Sequence, residues 1–419
     1  MRQKNEYVVM KIYIFIYIFS TLVVGIKTLV NYEPYGEAIG MTLKMSRFEI
    51  GMILIVQILT LASTYVFFSI TKKSRLSISS GKIKLLISDK KIHGFMFLIL
   101  LLQIIFSLKT GNGRLGHETK SHISSFMNML NVKSFFPIYY FCGKRKKLYW
   151  INLFMFCIYE IICGWSSFVF TLLFYELFIR LREDKNKYLK WFNSKTYIPL
   201  STLFLILGGR FYSYLYRIKF YVREGYDAGH LSFWGGLSRL ISRFTNFPVS
   251  LVGIQEHRKI VELSRLQNGL LTEIMIVFRS LVPGRIWAGK ADLRAFGNIV
   301  LQSLYPTLES STSTGYLCWV YWGNIFESSK VTFLFYFIAL IIFTFISKKL
   351  IYAFETEPGK MDFLYFELIF RIFDGSTMEG VFGYGYIGLL YILPIMFILG
   401  IVKVERIYGN EYIIYYARD

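Results

Sequence analysis

The feature that most constrains this chain is a series of long, nearly uncharged apolar runs, each long enough to cross a hydrocarbon core of about 30 Å. The first, Val8 to Val30, follows a short charged start and lacks a small-residue cleavage site, so it reads as a retained span and not a removed signal peptide. Further runs fall at 48–70, 92–108, 124–142, 148–164, 166–180, 196–214, 331–348, 361–375 and 382–402. The run at 124–142 is interrupted by Asn128, Asn131, Lys133 and Pro137, a polar content that suits a helix facing the bundle interior. In lipid every backbone polar group must be satisfied inside the segment, so such runs are helices. The expected fold is all-α: a polytopic membrane bundle of about ten spans. Mean hydropathy of +0.44 agrees.

The basic residues set the topology. Segment 71–91 carries Lys72, Lys73, Arg75, Lys82, Lys84, Lys90 and Lys91; the turn 143–147 carries Lys144, Arg145, Lys146 and Lys147; segment 180–195 adds Arg180, Arg182 and four lysines. These blocks alternate correctly if all three are cytoplasmic, which puts both termini inside and Lys348, Lys349 and Lys360 with them. The formal net charge of +21 is therefore a membrane signature. Nothing in the chain resembles a nucleic-acid-binding module. Cys142, Cys157, Cys163 and Cys318 match no zinc spacing and no disulfide framework.

This topology divides the chain into N-terminal transmembrane helices (1–213), a large outer loop (214–329), and C-terminal transmembrane helices with a cytoplasmic tail (330–419). The loop is too apolar for a linker and reads as a folded lobe or a set of amphipathic helices. Within it, the apolar stretch Thr314 to Phe326 is short and reads as a re-entrant or interfacial helix.

The kind of charge changes outside. The three cytoplasmic segments hold thirteen lysines and four arginines, whereas the loop holds nine arginines and three lysines. Arginine's planar fork suits a phosphate clamp and tolerates partial desolvation better than an ammonium does. The arginines are interleaved with aromatic residues, as in Arg210-Phe-Tyr-Ser-Tyr-Leu-Tyr-Arg217 and Arg285-Ile-Trp287, a mixture suited to the surface where phosphate meets lipid. Any one of them also reads as an ordinary interfacial side chain snorkelling toward head groups. As candidate phosphate-binding residues we take Arg210, Arg217, Arg239, Arg243, Arg279 and Arg285. Arg239 and Arg243, four apart, share a helix face that Asn246 and Pro248 would end. For proton transfer the loop offers Glu256-His257 and Glu309. The first also reads as the solvated face of an amphipathic helix, and the second as a simple helix cap.

Three stretches carry a family resemblance: Gly208-Gly209-Arg210 before the loop, Glu309-Ser-Ser-Thr-Ser-Thr-Gly315 leading into Tyr316-Leu-Cys-Trp-Val-Tyr-Trp-Gly323, and Phe370-Arg371-Ile-Phe-Asp374-Gly375 closing a late span. In layout the chain resembles the O-antigen polymerases of the Wzy type. The resemblance implies a GT-C-like helical fold in the bacterial inner membrane, with its active site facing the periplasm. It implies undecaprenyl-diphosphate-linked oligosaccharides as donor and acceptor, contact with membrane lipids, a chain-length regulator protein as a further partner, and no cofactor or metal. The chain has no Asp-x-Asp motif and no histidine pair at ligand spacing in the loop. An O-antigen ligase and a flippase of lipid-linked oligosaccharide are the alternatives: the ligase would share the fold and the clamp, and the flippase would place its charges inside the spans.

Overall fold

The structure is a computed structural model, and it describes residues 3–35, 38, 41–73, 82–111, 127, 130, 132–165, 167–183, 210–219, 221–222, 227, 229, 232–266, 299–300, 302–303, 318–374 and 387–407. In chain order the elements are α1 (Gln3–Asn31), α2 (Arg47–Lys73), β1 (Lys82–Ile87), α3 (Asp89–Thr110), α4 (Val132–Cys142), α5 (Lys147–Ile162) and α6 (Phe168–Glu183). There follow α7 (210–219), α8 (Phe233–Ser242), α9 (Phe247–Gln255), α10 (His257–Leu266), α11 (Cys318–Ser328), α12 (Lys330–Ala353), α13 (Asp362–Phe373), α14 (Ile387–Ile398) and β2 (Val402–Ile407).

Four helices are long and apolar enough to cross a membrane: α1, α2, α3 and α12. Their outward faces carry Phe15 and Phe19, Ile55 and Leu59, Leu98 and Leu102, and Phe335 and Ile342, all exposed. Such faces are stable only against hydrocarbon or another protein. The shorter α5 and α6, at 16 residues each, span about 24 Å. Helices α13 and α14 have 12 residues each, and α4 has 11 with Pro137 inside it. Of the remaining run, 196–209 lies outside the described residues. Helix α11 has 11 residues, about half a bilayer's depth.

Local sequence sets the helix ends. Before α2, Ser46 and Glu49 form a capping box: the Glu49 carboxylate accepts from the Ser46 N–H at 2.7 Å and the Ser46 hydroxyl accepts from the Glu49 N–H at 3.3 Å. Helix α3 stops at Gly111, whose φ of 72° lets its N–H return to the Ser107 carbonyl. Helix α12 starts at Ser329, whose hydroxyl accepts from the Thr332 N–H.

Helix α13 is the hub of the bundle, with Phe363 to Phe370 all buried. It packs on α2 and α12. Tyr13 of α1 is ringed by Phe174 of α6 and by Phe363, Phe366 and Phe370 of α13. A second layer joins α4 and α5, where Phe136 and Phe156 stack 3.6 Å apart.

The basic segments gather at one end. Lys72 pairs with Asp362, and Lys348 donates to the Thr71 carbonyl. At the same end Lys144 pairs with Asp89, Lys91 donates to the Leu399 carbonyl, and Arg182 reaches Glu357 and the Pro358 carbonyl. Also here is the one departure from the all-α expectation among the described residues, an antiparallel pair of β1 and β2 in the register Lys82↔Ile407 to Ile87↔Val402. Both strands alternate apolar and polar residues for part of their length, and Lys84 lies opposite Glu405. The stretch 82–87 reads in sequence as a topology signal, so its strand periodicity goes unnoticed.

Candidate active site

At the end of the bundle away from the basic one, α7 and α8 pack side by side through Tyr212, Tyr216 and Leu240, with Phe170 of α6 and Phe244 closing the cluster. The chain directions are opposed, so residues four apart on one helix meet residues four apart on the other. Arg239 lies over the Tyr216 ring, 4.4 Å from its centre, and donates to its hydroxyl. Arg243 Nε donates to the Tyr212 hydroxyl at 3.3 Å. The tyrosines are buried and both arginines are exposed. Each guanidinium is thus anchored by a phenol and lies at the exposed surface of α8. Held this way, a fork of N–H donors loses little freedom when it meets a diphosphate.

Helix α8 starts at Ser232, whose hydroxyl accepts from the Gly235 N–H at 3.1 Å, and ends at Arg243. Asn246 and Pro248 stand at the start of α9, so the expectation that they close α8 is displaced by one short turn. The missing N–H of proline is harmless in a helix's first turn, which explains its place there.

The other arginines divide. Arg210 lies in α7 and is exposed. Arg217 is engaged by Asp227 in a two-point ion pair, with Nε 2.8 Å from Oδ1, while Asp227 also accepts from the Gly229 N–H. The hydrogen bond from Arg217 to the Asp227 carboxylate raises the Arg217 pKa above its ordinary value. Arg279, Arg285 and Glu309 lie outside the described residues. Glu256 and His257 sit at the junction of α9 and α10. Their contacts run away from α7: His257 Nε2 is 2.5 Å from Glu327 Oε2 on α11, and Glu256 is 3.7 Å from Lys44. Helix α10 buries Ile260 and Val261 and exposes Arg258, Lys259 and Glu262, the pattern of an amphipathic surface helix.

Directly after the arginine pair the chain dives into the bundle. Phe244 packs edge-on against Tyr17 of α1 at 5.4 Å. The Thr245 hydroxyl shares a buried 2.8 Å hydrogen bond with Thr21. The Asn246 amide donates to the backbone carbonyl of Asp374 at 2.7 Å. Asp374 thus sits at the C-terminal end of α13, opposite Asp362 at the basic end. One oxygen of its carboxylate, Oδ1, is buried with no hydrogen-bond partner among the described residues. Tyr17 and Cys318 are within electrostatic reach of it. Arg371, one turn earlier, pairs with Glu367 at 2.5 Å. In the sequence Asp374 stands in the stretch Phe370–Gly375 with no role of its own; a carboxylate ending an apolar run is the signal that points to it.

Comparison of the chain with protein-family models, with curated proteins and with solved structures finds no match. Among the described residues no group of three or more His, Cys, Asp or Glu side chains could hold a metal ion.

Proposed function

We propose that the protein is a membrane glycosyltransferase of the O-antigen polymerase (Wzy) type, joining undecaprenyl-diphosphate-linked oligosaccharide repeat units into polysaccharide. The reading places about ten spans in the bacterial inner membrane in a GT-C-like arrangement. The basic end and both termini face the cytoplasm, and the arginine lobe faces the periplasm.

The observation that carries it is the pair Arg239 and Arg243, held on Tyr216 and Tyr212 at the end of the bundle opposite the lysine-rich end. Glycosyl transfer from a lipid diphosphate needs positive charge where the leaving group gathers electrons. Preorganised donors supply most of their benefit when they need not reorganise during the reaction. Arginine forks fixed on buried phenols are such donors, and exposed apolar residues nearby, Phe211, Tyr214 and Trp234, give the lipid portion a surface to lie against.

Reconstitution tests the reading. Purified protein in detergent, given a defined undecaprenyl-diphosphate oligosaccharide and no nucleotide sugar, is expected to yield a ladder spaced by one repeat unit. Transfer only when lipid A core is supplied would identify a ligase instead. No product with either acceptor would sink both and shift weight to the flippase.

A further inference from the structure

The helices beneath the arginine pair share a layer of buried polar atoms with no partner. Gly25 of α1 lets Leu54 of α2 pack directly onto the helix; a Cβ at that position would collide with both Leu54 methyl carbons. Helices α1 and α2 run in opposite directions, so one turn from this contact Thr21 and Gln57 lie at the same depth. Thr21 bonds Thr245, which is next to Asn246, which holds Asp374. Gln57 is 0% exposed, and among the described residues neither its amide nitrogen nor its amide oxygen has a hydrogen-bond partner. The indole N–H of Trp319 on α11 and Oδ1 of Asp374 are in the same condition, and Cys318, beside Trp319, is within reach of Asp374. Helix α9, which follows Asn246, packs on α1, α2 and α11 and so draws these groups together.

Leaving a buried amide unsatisfied costs about 1–3 kcal/mol per group, and native proteins contain few such groups. Several on helices that pack around α9, the helix that follows the cationic clamp, have the chemistry of a polyhydroxylated ligand's site. A glutamine offers both a donor and an acceptor to sugar hydroxyls, and an indole offers a donor and an apolar face.

Resting on the polymerase reading, we infer that this layer seats the acceptor sugar, with Gln57 and Trp319 bonding its hydroxyls and Asp374 accepting the proton of the attacking one. The acceptor oxygen forms its bond to the donor's anomeric carbon as the bond from that carbon to the diphosphate oxygen breaks. The electron pair departs with undecaprenyl diphosphate beside Arg239 and Arg243, and the hydroxyl proton passes to Asp374 and then to water. Asn246, three residues after Arg243, bonds the Asp374 carbonyl, which ties the end of α13 to the segment that follows the clamp.

Two variants and two readouts test it. The first readout is binding of the repeat-unit oligosaccharide, freed from its lipid, to the purified protein by equilibrium dialysis. The second is the ladder reaction. Gln57→Leu removes two buried unpaired atoms and keeps apolar volume, so it is expected to melt at or above the wild-type temperature while binding the oligosaccharide at least tenfold more weakly. Asp374→Asn is expected to bind within about threefold of wild type, to lose roughly a hundredfold or more in turnover, and to lose the acidic limb of the pH–rate profile. Unchanged binding by Gln57→Leu would mean that ordered water fills the layer, and would overturn the pocket. Wild-type turnover and pH profile in Asp374→Asn would remove the proton-accepting role. Wild-type protein that binds the oligosaccharide without forming a ladder would keep the pocket and discard the polymerase reading.

Discussion

Replacing Arg239 and Arg243 together by alanine is expected to lower polymer formation by roughly a thousandfold, with each single change costing about a hundredfold. The reasoning starts from the anchors. Tyr212 and Tyr216 are buried in a small cluster with Leu240, Phe170 and Phe244, and that packing does not depend on the guanidinium groups above it. Removing two exposed side chains therefore leaves the lobe folded, and the melting temperature in detergent should move little. What disappears is charge stabilisation of the leaving diphosphate. Arginine-to-lysine changes at both positions keep the charge but lose the planar fork and its seat on the ring, so they should recover only part of the rate. Tyr216→Phe keeps the ring under Arg239 and deletes one hydrogen bond, for a loss of about fivefold. The readout is the ladder reaction at saturating acceptor. Retention of the wild-type rate to within threefold in the double alanine variant would remove the arginine pair from the mechanism.

The parts of this architecture that follow from a single dominant force were legible in the sequence. Runs such as Val8 to Val30 and 331–348 are helices because lipid leaves the backbone no alternative, and α1 and α12 cover them. Lysine blocks share one end because charge placement is itself a topological constraint, and Lys72, Lys91, Lys144 and Lys348 meet there. The i,i+4 spacing of Arg239 and Arg243 put them on one helix face, but nothing local identified Tyr216 and Tyr212 as their seats; that pairing joins residues 23 and 31 positions apart and depends on how two helices come together. The strands β1 and β2 escaped for a similar reason. Residues 82–87 and 402–407 have strand character only as a pair, and their pairing joins distant parts of the chain. Gln57 and Asp374 were visible as polar residues in apolar runs. Their significance lies in having no partner, a property that only the assembled bundle reveals.

At the basic end, Asp362→Ala is expected to be the most destabilising single change in the described bundle, at about 3–5 kcal/mol. Asp362 is 1% exposed at its side chain, and its carboxylate is shared by Lys72 from α2 and the Tyr352 hydroxyl from α12, the latter at 2.8 Å. Lys72 also donates to the Tyr7 hydroxyl of α1 at 3.0 Å, so one charge pair fastens four helices. Lys348 adds to the fastening by donating to the Thr71 carbonyl, one of the last carbonyls of α2 that the helix itself cannot satisfy. Truncating Asp362 leaves the Lys72 ammonium half-buried with no counter-charge, and the cost is that of the stranded charge more than of the lost attraction. The distinction can be measured. Changing Lys72 to Met along with Asp362 to Leu removes both charges and keeps apolar volume, and the double variant should regain most of the lost stability. Thermal melting of wild type, Lys72→Met, Asp362→Leu and the double variant in one detergent closes the cycle and gives the coupling directly. If Asp362→Ala melts within a degree or two of wild type, the pair is not what holds this end together. If the double variant is as unstable as the single one, the loss comes from the tyrosine contacts and not from the stranded charge.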